Sequence, residues 1–433
     1  MRVVSNASRR LLKRIMKMNT KSAVAGALLL LLSVGVRAGI PDAEWAQFKA
    51  QFAAMNERIN ALEVENRQLR AARSAVTVED LEATNAEVAA LKSRDDASSW
   101  AERIKWKGDF RYRYEDIRQD DRDDRDRNRI RARPALVAKI TDTAEVGFGM
   151  ATGGDDPVST NETLGGGGST KDVRLDLAYA TWTGLENTAL TAGKFANPYY
   201  RVQKSQLIWD SDFRPEGLAV QWANDTFFAN ASYSFIESDS ARDNDGIWGA
   251  QLGGAFEISD GLTLTASAAY LDFPSKGRRT IYDDDFFGNS TVQKDGETVY
   301  EFDYQVASGS LDIALQVFDI PLNVYGEYVK NSAADEFDSG YVAGVKLGEA
   351  KKPGSWQLQY QYEDLEADAV LGLFTDSDFA GGGSDGKGSK FAAKYAIDSQ
   401  WSFAATYFYN KRGVDLGDNA DYKRLQIDTL FKY

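Results

Sequence analysis

Between residues 104 and 115 the chain alternates without a break. Ile104, Trp106, Gly108, Phe110, Tyr112 and Tyr114 share one parity; Lys105, Lys107, Asp109, Arg111, Arg113 and Glu115 share the other. A period of two sends these sets to opposite faces of a β-strand, one aromatic and one charged. Fifteen more candidate strands follow. They begin near Asn128, Glu145, Val173, Ala189, Glu216, Thr226, Gly246, Leu262, Tyr300, Leu322, Ser339, Ser355, Ser389, Trp401 and Tyr422. Runs of roughly nine to eleven residues or more are long enough to cross a bilayer when tilted.

The connections alternate too. Short turns fall at 141–143, 184–187, 224–225, 259–261, 319–321, 351–354 and 398–400, between longer Asp/Gly/Ser-rich loops near 116–127, 153–172, 196–215, 238–245, 273–298, 331–338, 364–388 and 411–421. Turns on one rim and loops on the other describe an outer-membrane barrel. A soluble sandwich or propeller would bury the apolar face. Here that face carries Trp106, Phe110, Tyr112, Trp222, Tyr233, Trp356, Tyr360, Trp401 and Tyr407, which girdles at a lipid interface explain better. The closing residues fit as well: Leu425, Ile427, Thr429, Phe431 and Tyr433 share a face, and the chain stops on an aromatic. The expected fold is all-β, a 16-stranded antiparallel transmembrane β-barrel wide enough for water, preceded by an α-helical coiled coil.

Mean hydropathy is −0.43, but alternation averages lipid-facing residues away. The chain has neither cysteine nor histidine. That removes disulfides, thiolates and the commonest metal ligand and general base, so no enzyme, cofactor or metal is expected. Residues 1–38 read as a signal peptide, with a basic start, an apolar run over 23–36, and cleavage expected after Ala38; a transmembrane helix would need a longer run. The formal charge is −14; without the eight basic residues before position 39 it is −22, which argues against nucleic acid.

Residues 39–99 are helical in pattern, and 100–433 hold the barrel. Trp45, Phe48, Phe52, Met55, Ile59, Leu62, Asn66 and Leu69 recur at alternating spacings of three and four, an a/d seam with a polar Asn66 that can fix register. A second stretch opens with the capping-box-like Thr77-Val78-Glu79-Asp80 and continues through Leu81, Val88 and Leu91. A self-associating periplasmic coiled coil and an amphipathic helix packed on a partner both remain open.

Several motifs in order resemble one family. Lys107-Gly108-Asp109-Phe110-Arg111-Tyr112-Arg113-Tyr114-Glu115 and Arg127-Asn128-Arg129-Ile130-Arg131-Ala132-Arg133 resemble the opening of the "putative porin" family of Gram-negative outer membranes. Ala151-Thr152-Gly153, Asp156-Pro157-Val158-Ser159-Thr160-Asn161, Ala192-Gly193-Lys194-Phe195 with Asn197-Pro198, and Leu207-Ile208-Trp209-Asp210-Ser211-Asp212 are similar to it too. The resemblance implies a homotrimeric diffusion pore for ions and small hydrophilic solutes. Its partners would be outer-membrane lipid, lipopolysaccharide and the barrel-assembly machinery. The helical prefix resembles that of phosphate- and anion-selective porins, but their selectivity residues are not matched here.

If the first two strands pair across their loop, Arg113 falls near Arg129, Arg111 near Arg131, and Asp109 near Arg133. Like charges opposite one another weaken a sheet by up to about 1 kcal/mol. Two readings stay open: Lys105, Lys107, Arg111, Arg113, Arg129, Arg131 and Arg133 form a pore field that favours anions, or Asp109, Glu115 and Asp126 neutralise them. In sixteen-stranded porins, the resemblance implies, loop 196–215 folds inward as a constriction; here it carries Arg201, Lys204, Asp210, Asp212 and Arg214. Facing an arginine wall, its acids would make a transverse field; an ordinary extracellular loop is the alternative. Phe431 and Tyr433 resemble the barrel-assembly signal.

The glycines of 165–168 and 381–383 do not open helices, so they read as flexible loop tips rather than phosphate cradles. The stretch 120–126 could bind cations through its aspartates, but its arginines favour a solvated loop. A rival function is a barrel that anchors the coiled coil as a tether to the periplasmic wall. A barrel lipase or protease is disfavoured by the missing histidine.

Overall fold

The computed structural model describes residues 42–74, 102–120, 122–238 and 245–433. The expected signal peptide and the stretch 77–91 lie outside them. Two units are present. The first is α1, Asp42–Ser74, a 33-residue helix. Acidic residues open its first turn, where they complement the helix dipole. Its seam residues Met55, Ile59, Leu62 and Leu69 are exposed, and no second helix pairs with it among the described residues.

The second unit is a closed barrel of sixteen strands: β1 Ile104–Gln119, β2 Arg125–Lys139, β3 Ala144–Thr152, β4 Val173–Leu185, β5 Thr188–Lys194, β6 Glu216–Ala223, β7 Phe227–Glu237 and β8 Asp245–Ser259. Then come β9 Leu262–Phe273, β10 Tyr304–Val317, β11 Ile320–Asn331, β12 Ser339–Gly348, β13 Trp356–Leu365, β14 Gly386–Ala396, β15 Trp401–Arg412 and β16 Ala420–Lys432. Each pairs antiparallel with its neighbours in sequence, and β1 pairs with β16 from Asp109↔Lys432 to Gln119↔Tyr422. Period-two sequences make this inevitable. Every strand has one face for lipid and one for the interior, so closure leaves neither an edge nor a misplaced face.

The expected boundaries shift at three places. The first loop shrinks to 120–124, because inner and outer faces keep alternating through Asp116, Ile117, Arg118 and Gln119. The strand expected near Tyr300 starts at Tyr304, because Tyr300 ends a loop hairpin, Thr291–Lys294 paired with Glu297–Tyr300. The turn before β11 is Phe318–Asp319, both at positive φ (50° and 67°), as tight hairpins require; Pro321 already pairs with Gln316.

The outer wall is apolar and ringed at both ends. Trp106, Trp182, Trp356, Tyr395 and Tyr433 lie toward the turns; Tyr112, Tyr233, Trp248, Tyr328, Tyr341 and Tyr409 lie toward the loops. The inner wall has two halves. Toward the loops, β8 to β13 turn Ile247, Leu271, Phe273, Tyr304, Val306, Val329, Val342 and Leu365 inward, all buried. On β1, β2 and β16 most inward residues are charged, from Lys105 to Glu115, from Arg125 to Arg133, and at Arg424, Asp428 and Lys432.

Candidate functional site

Strands β1 and β2 pair with Asp109↔Arg133, Arg111↔Arg131 and Arg113↔Arg129 directly opposed. Counter-charges from three directions hold the arginines together. Arg113 grips Asp428 of β16 through two hydrogen bonds (2.7 and 2.8 Å) and reaches Asp378 at 3.0 Å. Glu115, fully buried, accepts from Arg127 (2.5 Å) and Arg424 (2.6 Å). Asp109 takes Arg131 on one oxygen and Arg133 on the other, at 2.9 and 2.7 Å. Among the described residues no carboxylate lies within ion-pair distance of Arg111. Its guanidinium donates to the Asn161 side chain, and its Nε, like that of Arg129, is buried without a partner. Much of the ladder is therefore neutralised, with carboxylates that sequence reasoning did not assign to it: Asp212, Asp378 and Asp428. Asp126 instead accepts from Tyr114 on the outer face.

The loop 195–215 enters the barrel. Asp212 meets Arg133 at 2.7 Å and Arg131 at 3.4 Å and accepts from the Thr160 hydroxyl at 2.9 Å. Its far side reaches the opposite wall, where Gln203 donates to Asp312 of β10 (2.5 Å) and accepts from Lys346 of β12 (3.0 Å). Burial alone would raise the Asp212 pKa; Arg131 and Arg133, with Arg111 and Arg214, outweigh it and hold the carboxyl at about 2. The loop acids do not act as one set. Asp210 accepts backbone N–H groups from Asp212 and Ser377, and burial, then Asp212 and Asp376, push its pKa well up. Arg201 donates to the Trp209 carbonyl, and Arg214 pairs with Asp176 at 3.4 Å.

The loop 366–385 enters too, which the sequence reading did not anticipate. Val370, Leu371, Leu373 and Phe374 are buried against the apolar half-wall, and Phe374 packs on Phe213 with ring centroids 4.5 Å apart. Asn289 clamps it: its amide donates to the carbonyls of Ala367 (2.7 Å) and Val370 (2.9 Å) and accepts from Gly372 N–H (2.9 Å). Asp368 accepts from Tyr304 (3.0 Å) and from Ser290. Gly381, Gly382 and Gly383 are not a flexible tip: a Cβ on Gly383 would lie 2.4 Å from the Phe287 carbonyl oxygen. Gly165, Gly166, Gly167 and Gly168 are an exposed tip. The apolar run Val370-Leu371-Gly372-Leu373-Phe374 was the overlooked signal, because a solvated loop has no use for it.

Toward the turn rim, lysines replace arginines. Lys105 and Lys107 on β1, Lys346 on β12, Lys394 on β14 and Lys432 on β16 share the inward parity. Lys204 of the inserted loop faces the charges of Lys432 and Lys346, and Lys394 faces Lys432 and Lys204. Among the described residues no carboxylate pairs with Lys204, Lys346, Lys394 or Lys432. Burial, then these like charges, lower the Lys204 pKa.

The sequence that folds into this barrel is matched by a family model. The model described as "Putative porin" aligns with residues 117–305 and 279–429. The chain belongs to this family. It is an outer-membrane porin by family and fold. Among solved structures, Pseudomonas putida OprB (high-pH form) is 12% identical, covers 78% of this chain and 97% of that one, and superposes with a TM-score of 0.51. Salmonella typhi OmpF in complex with daunomycin is 12% identical over 76% of this chain and 97% of that one, TM-score 0.46. Vibrio cholerae OmpT, an outer membrane protein solved in a trimer form, is 13% identical over 76% and 99%, also at 0.46. At these identities the likeness concerns the fold alone. No curated protein sequence matches the chain.

Proposed function

We propose that this porin is a passive diffusion pore that prefers anions, with no catalytic step. The observation that carries it is the group Lys204 of the inserted loop with Lys346, Lys394 and Lys432 of the inner wall, cations without a carboxylate partner among the described residues, below a largely neutralised arginine ladder. A ring of unpaired cations favours anion passage. The loops 195–215 and 366–385 pack on the apolar half-wall and also reach the basic face, through Asp212 to Arg131 and Arg133 and through Asp378 to Arg113 and Arg424, so they narrow the water path. Arg111 extends the unpaired charge upward; Arg113, Arg129, Arg131 and Arg133 shape the path and hold the loops. In a salt gradient the reversal potential lies on the anion side, and Lys204→Glu with Lys394→Glu moves it toward cations. A cation preference in the unmodified protein, unaffected by Arg111→Ala and Arg131→Ala, would refute the reading.

The exposed seam of α1 supports a second element. Met55, Ile59, Leu62 and Leu69 offer an apolar row that suits copies of the same helix, as expected of a periplasmic coiled coil in a homotrimer. A tether to the periplasmic wall uses the same row differently. Deleting residues 43–95 separates them: loss of three-step conductance and of trimers on native gels supports assembly, whereas envelope detachment with unchanged conductance supports tethering. Phe431 and Tyr433 close the barrel, and we assign them the assembly signal.

A further inference from the structure

At the loop end of the inner wall lies a cavity of about 310 Å³. Arg122, Arg125, Arg127, Arg412 and Arg424 line it, with Asp123 the single carboxylate among the described lining residues. Its floor is the inserted loop 366–385, through Ser377 and Gly381. The parity of Arg125 and Arg127 on β2 and of Tyr422 and Arg424 on β16 turns the cavity toward the lumen, away from lipid.

Two neighbouring carboxylates are already committed, which leaves Asp123 as the lining carboxylate among the described residues. Glu115 holds Arg127 and Arg424, and Asp378 holds Arg424 at 2.7 Å. Even so, the Arg424 Nε is buried with no partner, although the residue is only 3% exposed. The side chains of Arg122 and Arg125 have no ion pair or hydrogen bond among the described residues. Arg125 stands against the like charges of Arg127 and Arg424. Cations crowded round a void at a vestibule repel one another until an anion enters. Guanidinium pairs suit carboxylate and phosphate oxygens because their N–H groups fork.

We infer that this cavity is a capture site for a solute with two or more oxyanion groups, loaded from the extracellular side before passage. The cavity is at the small end of ligand pockets, which run from about 300 to 1,000 Å³. That suits a molecule of citrate or pyrophosphate size and leaves no room for a lipid headgroup with its chains. Tyr422 Oη accepts from Arg424 at 3.4 Å and keeps its own proton to donate, whereas the Ser377 hydroxyl already donates to the Val158 carbonyl (3.0 Å). The inference rests on the anion-preferring reading above and extends it to a saturable site.

The test is planar-bilayer recording of the full chain, with citrate, pyrophosphate or sucrose added to one side at a time. Citrate, pyrophosphate or both, added on the loop side, should interrupt the current in a saturable way, and sucrose should not. Arg122→Ala with Arg125→Ala should raise the half-blocking concentration about tenfold or more, from the loss of two charge-assisted contacts, and Arg125→Lys should recover part of it. Heat-modifiable migration confirms that each variant is folded. Equal block in the wild type and double variant, or equal block from both sides, overturns the capture site. Failure of the anion-preferring reading registers separately, as a wild-type reversal potential on the cation side.

Discussion

Glu115 shows how one side chain decides whether the basic face can exist. It is fully buried between Arg127 and Arg424, with Arg113 at 3.4 Å. Replacing it leaves buried guanidiniums facing one another, and removing one partner of a buried ion pair costs about 3–5 kcal/mol. Glu115→Ala should therefore unfold at lower urea concentration in detergent, with Glu115→Gln in between because it still accepts hydrogen bonds. Loss of heat-modifiable migration reports the transition. Asp212 gives a pH-dependent version of the same logic. Its pKa, about 2 in the folded chain against an ordinary 3.8, makes its grip on Arg131 and Arg133 a stabilising contact at every pH above 3.8. The grip fades only as pH falls toward 2. Its contribution to channel noise should thus be constant from neutral pH to about pH 4. Asp212→Asn should raise open-channel noise already at pH 7.

At the scale of elements, the inserted loop 366–385 is the largest departure from what the chain announces. Excising 369–383 and bridging the gap with a short Gly/Ser linker should leave the barrel folded and raise single-channel conductance; unchanged conductance would mean the loop lies off the water path. Asn289→Ala should act in the same direction more weakly, because three backbone groups of that loop lose their partner. Strands were legible because a barrel strand answers only to its two faces: the pairing of Arg111 with Arg131 followed from counting back from the first loop. Closure of β16 on β1 was legible for the same reason. Loop conformation has no such period. Asp378 and Arg424 lie 46 residues apart and meet only because the loop folds inward, at 2.7 Å. Apart from Lys204, the lysine group escaped notice because its members come from β12, β14 and β16, far apart in sequence.

For the whole molecule, closure and charge share one seam. Strands β1 and β16 join through the Arg113–Asp428 pair inside and through Gly108 and Tyr433 at the turn rim, where Gly108 N–H donates to the Tyr433 carbonyl (2.9 Å) and Tyr433 N–H returns the bond (3.1 Å). The glycine is there for space. A Cβ at Gly108 would stand 2.5 Å from the Arg133 carbonyl oxygen on β2 and 2.9 Å from the Tyr433 ring. A side chain at this point therefore pushes on both neighbours of β1 at once, one through rigid backbone and one through a ring that can swing away. Gly108→Val should cut the yield of heat-modifiable barrel refolded into detergent. Adding Tyr433→Ala should restore little, because the Arg133 carbonyl still blocks the new Cβ, whereas Tyr433→Ala alone should close with only a modest loss. Full recovery in the double variant would place the strain in the aromatic ring, and the glycine would then serve the terminal residue rather than the pairing of β1 with β2.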